Sequence, residues 1–242
     1  MALLKRISNA AAYLRWLRVK AVFGLLTSEE RHRWIQTVGS PRLGDIELNA
    51  VYPWFAFQSI RYIEKLLRPD MKIIEYGGGY STLWWASRVS EVTTVERSKE
   101  WSEEIKLSLR KHDLKNVELR TFDKFPDTSE GELELNYESL RPLVDEYISS
   151  PLEPRHSCDV LIVDDVFRNA VVEGGLHFLK PGGLLILDDS ERERHKPVME
   201  SMIRGGWSSA HFFGAVPYHF HEKQTTIWFK PAEKTGASGL ER

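Results

Sequence analysis

Residues 72–86 read KIIEYGGGYSTLWWA. A short apolar strand, Lys72 to Glu75, runs into three glycines, and the chain then continues as a helix. Backbone without Cβ atoms at a strand end lets a ligand come close, and the N-terminus of the following helix favours an anionic group. The spacing is Glu75-x-Gly77-x-Gly79-x-Ser81. A dinucleotide fingerprint G-x-G-x-x-G would place glycine at position 82, where Thr82 stands. Taken alone, a glycine cluster is also what a tight turn requires.

The next strand, EVTTVE, ends at Glu96, 19 residues beyond Gly77. An acid about 20 residues on is placed to accept hydrogen bonds from ribose hydroxyls, because neighbouring strand ends of an open parallel sheet meet at one crevice. From about residue 50 the pattern alternates helix and strand, the sign of a parallel sheet wrapped by helices. Helices are expected over residues 55–67, 77–89, 98–111, 137–148, 168–179 and 197–205. Strands are expected over 72–75, 91–96, 117–121, 159–163, 184–187, 208–216 and 225–229. The expected class is α/β, a doubly wound, mostly parallel Rossmann-like sheet with an antiparallel terminal hairpin.

Glu75-x-Gly77-x-Gly79, Glu96, VLIVDD at 160–165 and LKPGGLLILDD at 179–189 resemble, in that order, the class I S-adenosylmethionine-dependent methyltransferases. The resemblance covers about residues 50–230. It implies a seven-stranded sheet whose last strand runs antiparallel between strands five and six, and S-adenosylmethionine as cofactor. By position it makes Glu75 the strand-one acid near the methionine amine and lets the backbone at Gly77, Gly79 and Ser81 approach the cofactor. Glu96 becomes the ribose ligand, and Phe122 and Asp123 the adenine contacts. Serine at 81 departs from the family's common third glycine. Asp123 has an equal reading as a loop-starting acid.

CDVLIVDDVFR and GLLILDDSERER each end an apolar strand with paired aspartates. Converging carboxylates repel unless a cation, proton or amine compensates. The 24-residue spacing from Asp164 to Asp188 resembles metal-dependent catechol-type O-methyltransferases, with Asp164, Asp188 and Asp189 as ligands for Mg²⁺. The competing readings are a methionine-amine contact by Asp164 and helix capping by Asp165 or Asp189. The methyl of a sulfonium needs an aligned, deprotonated nucleophile, so Asp164, His195, His219 and His221 are candidate catalytic residues. Each histidine also reads as an exposed loop residue. Tyr52 and Trp54, before the first main-domain helix, are candidate substrate contacts. Trp84 and Trp85 read as core.

The chain carries 33 basic and 35 acidic residues, and this near-neutral balance argues against a dedicated nucleic-acid binder. A single cysteine, Cys158, excludes a disulfide framework and a multi-thiolate zinc site, and suits the cytoplasm. Residues 1–44 read as a helical extension. Its first 26 residues are amphipathic and carry Lys5, Arg6, Arg15, Arg18 and Lys20, which fits a lid, a homodimer contact or a peripheral membrane contact. Residues 45–230 form the cofactor-binding domain, and 231–242 a flexible tail. The expected activity is methyl transfer, foremost O-methylation, to a small-molecule or glycan acceptor. The alternatives are N-methylation of a small molecule, an NAD-dependent oxidoreductase, and a non-catalytic interaction protein retaining the fold.

Overall fold

The computed structural model describes residues 21, 23, 24, 26–37, 43, 47–151, 153–155, 157–219 and 221–232. The expected helix over residues 3–24 and the tail beyond 232 lie almost wholly outside the described residues. The strands are β1 (Lys72–Tyr76), β2 (Glu91–Glu96), β3 (Val117–Thr121), β4 (Cys158–Val163), β5 (Leu179–Leu187), β6 (Ser208–Ala215) and β7 (Glu222–Phe229). They form one seven-stranded sheet in the order β3-β2-β1-β4-β5-β7-β6. The pairs from β3 through β5 are parallel, while β7 runs antiparallel to both β5 and β6. This is the expected doubly wound architecture, its direction reversing between β1 and β4.

Strand parity divides the core. Ile73, Val160, Ile162, Leu184, Ile186 and Ile227 point to one face, while Ile74, Leu161, Val163, Leu185, Leu187 and Trp228 point to the other. The first face is covered by helices α1 (Ser28–Thr37), α2 (Phe57–Leu66), α3 (Tyr80–Ala86) and α4 (Lys99–Lys111). The second is covered by α6 (Tyr137–Ser149), α7 (Arg168–Gly175) and α8 (Lys196–Arg204). Burial on both faces explains why β4 and β5 read as continuous apolar runs. Trp84 and Trp85 are core residues, as expected, and Cys158 is buried in β4 with its thiol pushed up to about 12 by that burial.

Several boundaries differ for identifiable reasons. Helix α3 stops at Ala86 because Asn116 Nδ2 donates to the carbonyls of Ala86 and Val89 at 2.9 and 2.8 Å. Strand β5 begins at Leu179, ahead of the Pro181-Gly182-Gly183 turn signal. Its register against β4 shifts there, Cys158 facing Leu179 and Val160 facing Leu184. A short helix, α5 (Glu130–Leu135), occupies the stretch expected to be irregular. Its capping box, Ser129 with Glu132, is the S-x-x-E signature lying in plain sequence.

Candidate active site

The carboxyl ends of β1, β2, β4 and β5 open into a cleft of about 400 Å³, where an open α/β sheet reverses its winding. Gly77 begins the turn after β1 with φ +86°, and a Cβ there would lie 2.0 Å from the Asp164 carbonyl oxygen. No other residue fits that approach. Gly78, an unassigned position in the spacing, is as constrained, since its Cβ would meet Thr94 Cγ2 at 2.7 Å. Its N–H donates to Glu96 Oε2 at 3.0 Å, and its carbonyl accepts from Trp101 Nε1 at 2.7 Å. Gly77, Gly79 and Ser81 line the cleft.

Glu96 is 6% exposed and lines the cleft, its other carboxylate oxygen accepting the Ser98 N–H at 2.7 Å. Burial and the nearby Asp165 push its carboxyl up to about 7, against those two backbone donors. Asp165 reaches Arg97 Nε at 3.3 Å through Oδ1, and its buried Oδ2 has no hydrogen-bond partner among the described residues. Asp165 does not cap α7, whose N-cap is Phe167 with no side-chain bond.

Glu75 lies elsewhere. It is fully buried beneath the glycine turn, Oε2 accepting from Thr82 and Thr94 hydroxyls at 2.6 and 2.8 Å and Oε1 from Trp85 Nε1 at 2.9 Å. It braces the loop from the sheet side and does not line the cleft. Burial pushes its carboxyl up to about 7 against these donors. Phe122 packs into the core against Phe125 and Tyr147, centroids 5.2 and 5.3 Å away, and Asp123 is exposed; neither lines the cleft. Tyr52 is also buried, its N–H donating to the Tyr218 hydroxyl at 2.9 Å.

At the other end, single oxygens of Asp164, Asp188 and Asp189 lie within 4.8 Å of one another, so the predicted aspartates do converge. Each is already matched by a cation. Arg168 Nη2 bridges Asp164 at 2.7 Å and Asp189 at 3.1 Å, and Arg192 also donates to Asp189. Lys223 donates to Asp188 and lies 3.5 Å from Asp189, while Thr225 Oγ1 donates to the remaining Asp188 oxygen at 2.7 Å. Burial pushes the Asp188 carboxyl upward, whereas Lys223, Arg168 and Arg192 overcome burial and hold Asp189 below its ordinary value. Burial would lower Lys223, but the three carboxylates hold it raised and charged. Asp189 adopts φ +52°, a left-handed conformation that costs a non-glycine residue about 1–3 kcal/mol. Mg²⁺ asks for about six hard oxygen ligands and several waters. A cluster of three acids neutralised by three side-chain cations does not fit that ion.

His195 lies apart from this centre, whereas His219 stands at its edge, beside Trp54, where burial and the Lys223 charge lower its pKa. His195 is 1% exposed, with Nδ1 2.7 Å from Asn169 Oδ1, and borders a separate cavity of about 300 Å³ beside Tyr137 and Phe167. Burial and Arg168 lower its pKa to about 4, so it is neutral and buried, not an exposed loop residue. His219 stands edge-on to Trp54 at 4.5 Å, with His221 5.1 Å further out. Trp54 itself lines the cleft and is 38% exposed. Sequence reasoning missed the basic side chains of the lining, Arg97, Arg168, Arg192 and Lys223, because each reads as an ordinary surface charge.

Against solved structures the fold has many counterparts. A putative O-methyltransferase from Klebsiella pneumoniae superposes with a TM-score of 0.51 at 18% identity, over 89% of this chain and 90% of that one. A methyltransferase from Pyrococcus furiosus gives 0.50 at 18% identity, over 92% and 99%. Precorrin 8W decarboxylase from Methanobacterium thermoautotrophicum gives 0.50 at 17% identity, over 77% and 96%. No family model and no curated protein matches the sequence. The chain has the seven-stranded Rossmann-like fold of the class I S-adenosylmethionine-dependent methyltransferases.

Proposed function

We propose that this chain is an S-adenosylmethionine-dependent methyltransferase that methylates an oxygen of a small-molecule or glycan acceptor. The observation that carries the reading is Glu96. Its buried carboxylate is fixed by the Gly78 and Ser98 N–H groups and faces the cleft beside a turn that only glycine can make. That is a preorganised acceptor for paired ribose hydroxyls.

The bound cofactor would supply a methyl group on a sulfonium, electrophilic enough to need only an aligned nucleophile. The protein's task is then to hold, orient and dehydrate. The glycine turn and Glu96 fix the cofactor end. Trp54, at the mouth, offers a flat face on which a ring or sugar can lie. Asp164 has one oxygen held by Arg168 and a side chain one-quarter exposed, so its other oxygen is the group placed to take the acceptor's proton. Asp164 is thereby preferred among the four candidates Asp164, His195, His219 and His221. Residues 45–230 would constitute the catalytic domain, with 1–44 as an extension and 231–242 as a tail.

Isothermal calorimetry tests the assignment. S-adenosylhomocysteine should bind, and Glu96→Ala should weaken it about 10- to 100-fold, the worth of charged hydrogen bonds of about 1.5–3 kcal/mol. Binding of NAD without a response to either sulfur ligand would instead assign an oxidoreductase.

A further inference from the structure

The aspartate cluster holds a cation of the chain's own. Three carboxylates from the ends of β4 and β5 come within one ion's reach of each other, which is how a dication site is built. Arg168 joins Asp164 to Asp189, and the charge that reaches the buried Asp188 arrives from β7, antiparallel to β5 and in register with it through Leu187 and Thr226. That pairing brings Lys223 alongside Asp188 and Asp189. Lys223 is 6% exposed and lines the cleft, with its ammonium set among the acids.

We propose that the Lys223 ammonium is the resident cation of the Asp164–Asp188–Asp189 cluster, so that the protein takes no divalent metal there and presents an N–H donor to the acceptor. The charges support this. Three carboxylates face Arg168, Arg192 and Lys223, leaving no excess negative charge to recruit a dication. At the most buried of the three acids both oxygens are engaged: Thr225 and Lys223 share the two oxygens of Asp188. An ammonium has three donors and no acceptor. It therefore receives an oxygen nucleophile and disfavours a protonated amine. This specificity rests on the methyltransferase reading, but cation occupancy does not.

Manganese is the probe, followed by its electron paramagnetic resonance signal. Wild-type protein should leave the free Mn²⁺ signal unchanged to about 1 mM, and its melting temperature should not respond to Mg²⁺. Lys223→Ala leaves the cluster one negative charge in excess and should bind Mn²⁺ at least about tenfold more tightly than wild type. The double variant Lys223→Met with Asp188→Asn, which removes one charge of each sign, should lose that gain and supplies the test if the single variant does not fold. Mn²⁺ binding by wild type that Asp188→Asn abolishes would overturn the proposal. So would a folded Lys223→Ala with no gain, or a double variant that binds when the single variant does not fold. S-adenosylhomocysteine calorimetry on the same samples separates these failures from failure of the methyltransferase reading.

Discussion

Thr82 stands where a dinucleotide fingerprint has glycine, and the structure shows what the hydroxyl does there. It accepts the Gly79 N–H at 3.0 Å and donates to Glu75 at 2.6 Å, tying the glycine turn to the strand beneath it. The strand-end acid was legible in sequence; its destination follows from parity. Glu75 shares a face with Ile73, the face that α3 covers, and so it points into packing. Its carboxyl has a folded pKa raised from 4.5 to about 7 by burial. Between those values the folded state binds more protons than the unfolded one, so stability falls as pH rises through the window. This one group contributes a loss on the order of 3 kcal/mol. Urea unfolding at about pH 5 and about pH 8 should show wild type more stable at the lower pH, with Glu75→Gln flattening the difference. Glu96 and Asp188 shift in the same sense and His195 in the opposite one, and all three remain in the variant, so a smaller slope should persist. An unchanged slope in the variant would mean that Glu75 is ionised in the folded state.

At the scale of elements, the helices and strands with strong periodicity were readable, and the misplacements have local causes. Nothing near Ala86 in sequence announces that Asn116, thirty residues on, will take its carbonyl. The basic lining of the cleft was illegible for a related reason. Lys223 acquires meaning only when the sheet order brings β7 beside β5, and Arg168 when β4 and β5 pair and set Asp189 beside Asp164. The placement of α1 is a further case. Thr27 and Glu30 form its capping box, but its role lies in tertiary contacts. Trp34 Nε1 donates to the His219 carbonyl at 3.1 Å, and Thr37 Oγ1 accepts the Tyr218 N–H at 3.2 Å. Helix α1 therefore pins the β6–β7 loop that carries Tyr218 at φ +68° and sets His219 against Trp54. Trp34→Phe keeps the ring and removes the donor. It should cost about 1 kcal/mol and speed amide exchange in the 216–221 loop about fivefold by hydrogen-exchange mass spectrometry. Unaltered exchange there would show that the loop holds its shape without α1.

At the scale of the whole molecule, the cleft draws its walls from both sides of the reversal between β1 and β4. Gly77, Gly78 and Glu96 come from the β1–β2 side, and Asp164, Asp165, Asp189 and Lys223 from the β4, β5 and β7 side. Two cores, one on each face, hold these halves together, and a ligand spanning them adds contacts that exist only in the folded state. Its binding energy is then stability. At a free concentration one hundred times its Kd, a single-site ligand adds about 2.7 kcal/mol. For a domain of this size that is a rise in melting temperature of about 5–10 °C. S-adenosylhomocysteine should produce this shift in differential scanning calorimetry, and the shift should grow by about 1.4 kcal/mol for each further tenfold in ligand. In Glu96→Ala the same ligand concentration should give about half the shift or less, because the weakened site is no longer saturated a hundredfold. A wild-type protein that melts at one temperature with and without the ligand would separate this fold from the cofactor proposed for its cleft.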